Sequence, residues 1–152
     1  MPKENTSVVT NRQAYRDFHI EKTYEAGLEL FGNEVKSLRT GNANLKGSFC
    51  RIEGGEIFVH NMHISPYDFS SDETDPVRPR KLLLHRAQIR SLGIKLAQQG
   101  YTLVPLKVYF KRGYAKMEIG LGKGKKLYDK RQALKEKQVK REMDRIMRHK
   151  RR

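Results

Sequence analysis

Residues 115–131 read AKMEIGLGKGKKLYDKR, and the fold turns on how this stretch divides. In its first half Ala115, Met117, Ile119 and Leu121 fall on one side of a period of two, with Lys116, Glu118 and Gly120 on the other. That alternation describes a half-buried strand. In its second half the apolar period stops, and Lys123, Lys125, Lys126, Lys130 and Arg131 surround Gly122 and Gly124. Such a segment is at ease only in water or against negative charge. The stretch therefore predicts a packed domain before it and a basic arm after it. The expected boundaries are a disordered N-terminus at 1–10, a folded domain at 11–122 and the arm at 123–152.

Charge follows the same division. The chain has 152 residues, enough for one domain, and a formal net charge of +15. From Lys123 onward there are fourteen lysines and arginines against four acids, a net +10, while the first 122 residues carry only +5. A block of this kind favours a polyanion. No apolar run approaches the roughly 20 residues that span a bilayer, and the opening MPKENTSVV lacks an apolar signal core. No membrane partner is expected, and the chain reads as cytoplasmic. The lone Cys50 excludes an internal disulfide and fits a reducing compartment as a small core residue.

Upstream, Asn11 is placed to cap a short helix running to Phe18, with Ala14, Tyr15 and Phe18 at helical spacing. Residues 18–30 then alternate: Phe18, Ile20, Tyr24, Ala26, Leu28 and Leu30 share one face, broken only by Lys22, and His19, Glu21, Glu25 and Glu29 lie on the other. This is a strong strand signal. Residues i and i+4 of a strand lie about 13 Å apart, too far for the paired carboxylates of a glycosidase. The glutamate row, Glu25 excepted, is read as a solvated face.

Asn33 is expected to cap a helix over 34–40 that carries Lys36 and Arg39 on one side and ends at Gly41. Residues 45–52 and 57–62 read as a hairpin joined at Glu53-Gly54-Gly55-Glu56. His60 and His63 have no further His or Cys cluster beside them, so no metal site is expected. Residues 66–79, PYDFSSDETDPVRP, predict a polar, locally acidic loop, the least ordered internal segment. Arg80 and Lys81 precede Leu82, Leu83 and Leu84, and a helix follows to Gln99 with Ile89, Leu92 and Leu96 along its stripe. Residues 101–110 form a strand in which Pro105 predicts an edge or a bulge. The expected class is mainly β: about six strands and about three short helices in a small closed or nearly closed antiparallel barrel.

The arm from Asp129 onward is rich in helix formers and has no Gly or Pro. Its apolar stripe is short: Val139, Met143, Ile146 and Met147. Four such side chains do not offset an ordering cost of about 1–2 kcal/mol per residue. The arm is expected to be disordered when free and helical when bound to phosphate. The exposed Ile146 and Met147 pair near its end points to a defined contact. Enzymatic motifs are missing: GLGKGKK lacks the spacing and the hydroxyl of a phosphate loop, and there is neither a Gly-x-Ser-x-Gly elbow nor a His-Glu-x-x-His. A binding protein without catalysis or cofactor is expected.

Seven blocks, in order, carry a family resemblance. They are N-R-x-A at 11–14, E-A-G-L-x-L-x-G-x-E-V-K-S-L-R at 25–39, G-x-A-N-L at 41–45, H-I-S-P-Y at 63–67, R-K-L-L-L at 80–84, G-Y-T-L-V-P-L at 100–106 and G-K-G-K-K-x-x-D-K-R at 122–131. The chain closely resembles the SmpB family, the bacterial partners of transfer-messenger RNA (tmRNA), over residues 11–152. The resemblance implies an OB-like β-barrel that binds the tRNA-like domain of tmRNA. It implies delivery of alanyl-tmRNA, with the elongation factor EF-Tu, to ribosomes stalled on messages without a stop codon. There the tail would probe the empty mRNA channel and the decoding centre of the small subunit, and the nascent chain would be tagged for degradation.

By matching position, the tmRNA surface would include Asn11, Arg12, Glu25, Lys36, Arg39, Leu83 and Lys116, with Glu25 an acceptor and the lysines and arginine on phosphates. Lys123, Lys125, Lys126, Tyr128, Asp129, Lys130 and Arg131 would lie at the decoding centre, and Asp129 would open the tail helix. Ile146 and Met147 match tail positions tied to accommodation. Tyr128 stands where some relatives have histidine; either ring can stack on a base, but a ring-nitrogen hydrogen bond would be lost. A monomer is expected. The competing reading from composition alone is a constitutive rRNA-binding ribosomal structural protein, which would remain on every ribosome in high salt.

Overall fold

The computed structural model describes residues 7–67, 74–125 and 127–150, with the backbone alone at 7, 127–133 and 150. In chain order the elements are β1 (Ser7–Thr10), α1 (Arg12–Asp17), β2 (Phe18–Leu28), α2 (Gly32–Arg39), β3 (Ala43–Asn44), β4 (Phe49–Glu53) and β5 (Glu56–His60). There follow β6 (His63–Ile64), β7 (Arg80–Leu83), α3 (Arg86–Leu96), β8 (Tyr101–Lys111), β9 (Tyr114–Gly124) and α4 (Leu127–Lys150).

Six of the strands pair antiparallel in the order β8-β4-β5-β7-β2-β9, and β9 returns to β8 so that the ring closes. The six-stranded closed antiparallel architecture anticipated from the alternation is thus present, with β3 and β6 as a separate short pair. Turn chemistry sets two of its corners. Gly54 and Gly55 both take positive φ (58° and 77°) between β4 and β5, as a tight primed hairpin turn requires. Arg112 and Gly113 do the same (52° and 80°) between β8 and β9.

Met117, Ile119 and Leu121 point into the ring, where they meet Ala26, Ile57 and Val59, with Leu38 of α2 and Leu92 of α3 in the same core. A second, smaller cluster lies on the other face, where Ala14 of α1 covers Val104 and Leu106, flanked by Phe18 and Ile20. Two irregularities create it. The β2 register slips between Ile20 and Lys22, and that of β8 between Pro105 and Lys107. Because a one-residue slip moves side chains to the opposite face, Phe18 and Ile20 do not share a face with Tyr24 and Ala26 as strict alternation predicted. Pro105 marks a bulge, as its position in the strand suggested.

Glycine lets these layers touch. A Cβ on Gly122 would collide with the His19 carbonyl oxygen, lying 2.9 Å from its carbon and 3.1 Å from Ile20 Cα. One on Gly120 would lie 2.9 Å from Leu106 Cδ1. Strand β9 accordingly continues through Gly124 instead of ending at Leu121. Gly122 belongs to the sheet and is no break before the arm.

Among the described residues, Arg80 is the one fully buried arginine. Arg80 donates from Nε to Glu34 Oε2 (2.7 Å), from Nη1 to the Met62 carbonyl (2.6 Å) and from Nη2 to the Pro76 carbonyl (3.0 Å). Arg78 Nε reaches the same carboxylate at 3.2 Å. Glu34 Oε1 also accepts the Phe31 N–H at 2.9 Å, so α2 starts at Gly32 behind Phe31 and not behind Asn33. Burial pushes the Glu34 carboxyl up, but Arg78, the Phe31 N–H and Arg80 outweigh it and hold it below its ordinary value.

Other expectations are corrected. Residues 7–10, read as disordered, form β1 beside β8, with Val8 and Val9 packed on the core. The flanks of the 66–79 loop are tied down by Arg80 and by Ile64 N–H to the Pro76 carbonyl (3.0 Å), while 68–73 lie outside the described residues. Helix α3 stops at Leu96, short of Gln99. The arm, expected to lack structure when free, is the helix α4, as its propensity permits. Every described side chain on it, 134–149, is exposed.

Gly122→Ala should lower stability by about 1–3 kcal/mol through overpacking, read as a lower denaturant midpoint, whereas Gly32→Ala, with open space around it, should not. Glu34→Gln should cost about 3–5 kcal/mol by leaving Arg80 buried without its counter-charge. Because the folded Glu34 pKa is lowered, its contribution is complete above the unfolded carboxyl value of about 4.3 and fades as pH falls through the folded value. Acid denaturation of Glu34→Gln should therefore be shallower than that of the wild-type protein.

Candidate nucleic-acid interface

Three of the sequence-selected residues meet over one glycine. Register pairs Gly27 of β2 with Leu83 of β7 on one side and with Lys116 of β9 on the other. The bare Gly27 backbone leaves a depression between them; a Cβ there would press on Leu83 at 3.2 Å. Glu25, Lys81, His85 and Arg86 line the same depression. Leu83 is 51% exposed within it, an apolar surface among charges that suits a base or ribose face.

Glu25 is not a freely solvated member of its row. Its Oε2 accepts a hydrogen bond from the Tyr109 hydroxyl, and Oε1 lies 3.4 Å from Lys111 Nζ. These contacts, the Tyr109 donor first among them, hold its pKa below the ordinary range. Burial and the facing carboxylate push the Tyr109 phenol up. Glu25 thus stays an anion that only accepts hydrogen bonds.

The cations of α2 flank this face. Lys36 is exposed, with Nζ 5.6 Å from the centroid of the Tyr67 ring. Arg39 lies over the Phe110 ring at 4.4 Å and donates from Nη2 to the Gly113 carbonyl at 3.3 Å, which ties α2 to the β8–β9 turn. Asn11 has both side-chain ends engaged within the fold. Its Oδ1 accepts from Ala14 N–H (3.3 Å) as the α1 cap, and its Nδ2 donates to the Pro105 carbonyl (2.9 Å). Arg12 beside it is exposed.

Where the arm leaves, Lys123 Nζ sits 4.7 Å from the Tyr101 ring, with Lys95 at 5.5 Å. Lys125 is gripped twice by α1: its N–H donates to the Asp17 carbonyl (2.8 Å) and its Nζ to the Tyr15 carbonyl (3.3 Å). Carbonyls at a helix C-terminus favour such a cation. Lys126 lies outside the described residues, as do the side chains of Tyr128, Asp129, Lys130 and Arg131, whose backbone is helical. Val139, Met143, Ile146 and Met147 are all more than half exposed and project from α4. The structure thus gathers Glu25, Leu83 and Lys116 in one depression, adds Lys36 and Arg39 nearby, and keeps the tail residues apart from them.

Sequence reasoning missed Tyr109 and the double grip on Lys125. Tyr109 reads as one more strand aromatic, and only the register of three neighbouring strands brings it to Glu25. Among the described residues no cluster of three or more His, Cys, Asp or Glu is placed to hold a metal ion. No described helix is long and apolar enough to cross a membrane.

Comparison with known proteins agrees with the seven blocks. The model of the family described as "SmpB protein" matches residues 8–149. An SsrA-binding protein of Macrococcus caseolyticus (strain JCSC5402) is 57% identical over 149 residues, 97% of each chain. One from Syntrophotalea carbinolica is 55% identical over 142 residues, covering 93% of this chain and 95% of the relative. A solved chain described as "tmRNA-SmpB: a journey to the center of the bacterial ribosome" superposes with a TM-score of 0.66 at 52% identity, over 78% of this chain and 84% of that one. With the family model over 8–149 and identity above half along nearly the whole chain, the chain belongs to the SmpB family.

Proposed function

We propose that this protein binds the tRNA-like domain of tmRNA through its ring and brings that RNA to stalled ribosomes for trans-translation. The observation that carries the reading is the division of the molecule: a closed ring with a charged depression on one face, and a cationic helix whose described side chains, 134–149, are all exposed. A structured RNA supplies to the first what a single-stranded polyanion would not, a fixed array of phosphates, riboses and base edges. Along the arm, of which that helix is part, fourteen cations from Lys123 onward against four acids favour a phosphate-lined surface.

In this reading Lys36, Arg39 and Lys116 pair with phosphates of the tRNA-like domain, Arg12 adds a further cation, and Leu83 packs on a sugar or base. Glu25 accepts from RNA donors. Asn11 contributes by fixing α1, and with it the position of Arg12. The arm lies in the vacant mRNA channel, with Lys123, Lys125, Lys126 and the 128–131 segment at the decoding centre. Val139, Met143, Ile146 and Met147 form its one apolar stripe against the channel wall. The arm gains its lasting helical order there, since the body does not cover it. The protein acts as a monomer in the cytoplasm, and EF-Tu joins through the alanylated end of the RNA.

Deleting 132–152 should leave tmRNA affinity nearly unchanged and abolish tagging in a reconstituted stalled-ribosome assay. Loss of tmRNA binding on that truncation would overturn the division of labour. Lys36→Ala and Arg39→Ala should each weaken tmRNA binding and flatten the log affinity against log salt slope by about 0.7–0.9, measured by filter binding between low and moderate salt.

A further inference from the structure

We infer that Tyr109 is a positioning residue for RNA recognition: its hydroxyl holds the Glu25 carboxylate in one orientation across β9, so that Glu25 meets the RNA as an acceptor for a nucleobase N–H edge. This rests on the reading of Glu25 as an RNA contact given above.

The geometry is specific to this pair of strands. β2 and β8 both flank β9, so their backbones are about 10 Å apart, and a glutamate alone does not cross that gap. Tyr109 is 7% exposed, its ring fixed by burial and by Lys107 Nζ at 5.9 Å from the centroid. Only its hydroxyl reaches outward, and there it donates to Glu25 Oε2. Lys111 Nζ approaches the other oxygen at 3.4 Å. The carboxylate plane is therefore set from β8, although the residue belongs to β2. Each oxygen keeps a lone pair free after these contacts. Two parallel acceptors of this kind match a planar pair of N–H donors, such as the Watson–Crick edge of guanine, and repel a phosphate.

The groups facing Glu25 are Tyr109 and Lys111 on β8, Lys116 on β9 with Glu118 as the register partner of Glu25, Lys81 on β7, and Glu56, His85 and Arg86 in the same depression. Lys107 binds Glu118 at 3.1 Å and Lys81 binds Glu56 at 3.5 Å, so of the carboxylates in and beside the depression Glu25 is the one held by the Tyr109 hydroxyl.

The test is a double-mutant cycle on the full chain with purified tmRNA. Tyr109→Phe keeps the buried ring and removes the hydroxyl; it should weaken tmRNA binding by about tenfold. Glu25→Gln should weaken it at least as much. In the double variant the Tyr109 change should add nothing. A carbon-13 titration of the Glu25 carboxyl supplies a second readout, independent of RNA and of a modest loss of stability. Glu25 should titrate below the ordinary carboxylate range in the wild-type protein and move upward in Tyr109→Phe. The binding loss of that variant should deepen as pH falls from 7 toward 5. A Tyr109→Phe protein that binds as well as wild type, or whose loss is undiminished in the Glu25→Gln background, overturns the positioning role alone. A Glu25→Gln protein that binds normally overturns the reading of Glu25 as an RNA contact, and this inference with it.

Discussion

The close approach of β2 and β9 is the constraint from which the other features follow. At Gly122 the two backbones come together until no side chain fits between them, with the His19 carbonyl in the space a Cβ would need. That contact lets an eleven-residue strand pair along nearly its whole length on both sides, with β2 and with β8, and so seal the ring. Sealing removes the free edges an open sheet would present. It also forces the register that sets Gly27 between Leu83 and Lys116, and Tyr109 within reach of Glu25.

Electrostatics then divides the protein's work. A net charge of +15 draws any nucleic acid, and attraction of that kind is indifferent to sequence and shape. Discrimination has to come from groups that refuse the wrong contact. In the proposed reading Glu25, held as an anion by Tyr109 and Lys111, takes that part: a phosphate placed there would meet a negative charge, while a base edge would meet an acceptor. The buried Glu34–Arg80 pair serves a different end. It is costly to desolvate, yet it ties α2 and residues 76–80 to the ring, and α2 presents Lys36 and Arg39.

How much of this was legible depended on the range of the interaction. Period-two runs announced β2 and β9, Asn11 announced its helix, and Gly54-Gly55 announced a hairpin, because each is a local signal read by its own neighbours. Slipped registers are non-local. Nothing in the spacing of Phe18 and Ile20 says that they will turn away from Tyr24, since the slip is settled by Leu106 and Gly120 across the sheet. The same holds for Tyr109, whose meaning lies in a carboxylate 84 positions away. Gly122 misled for the opposite reason: followed by lysines it reads as a break, and only the packed partner strand reveals it as a close approach. The family blocks located Glu25, Leu83 and Lys116 without explaining why they cluster; the Gly27 register supplies the explanation.

One strand serves both halves of the proposed activity, and this limits how the arm can move. Lys116 lies in the depression and Gly124 ends β9 eight positions later, about 27 Å away at the usual strand rise. Because β9 is paired on both sides, that separation is rigid. Lys125 extends the rigid part by one residue, since its backbone and side chain are both held by α1 carbonyls. Movement of the arm relative to the ring therefore begins no earlier than Lys125. A ring that places its RNA at one fixed distance from the root of its arm works as a gauge. In the proposed activity, an RNA seated in the depression and a channel entered by the arm would have to stand at that spacing for both to be occupied at once.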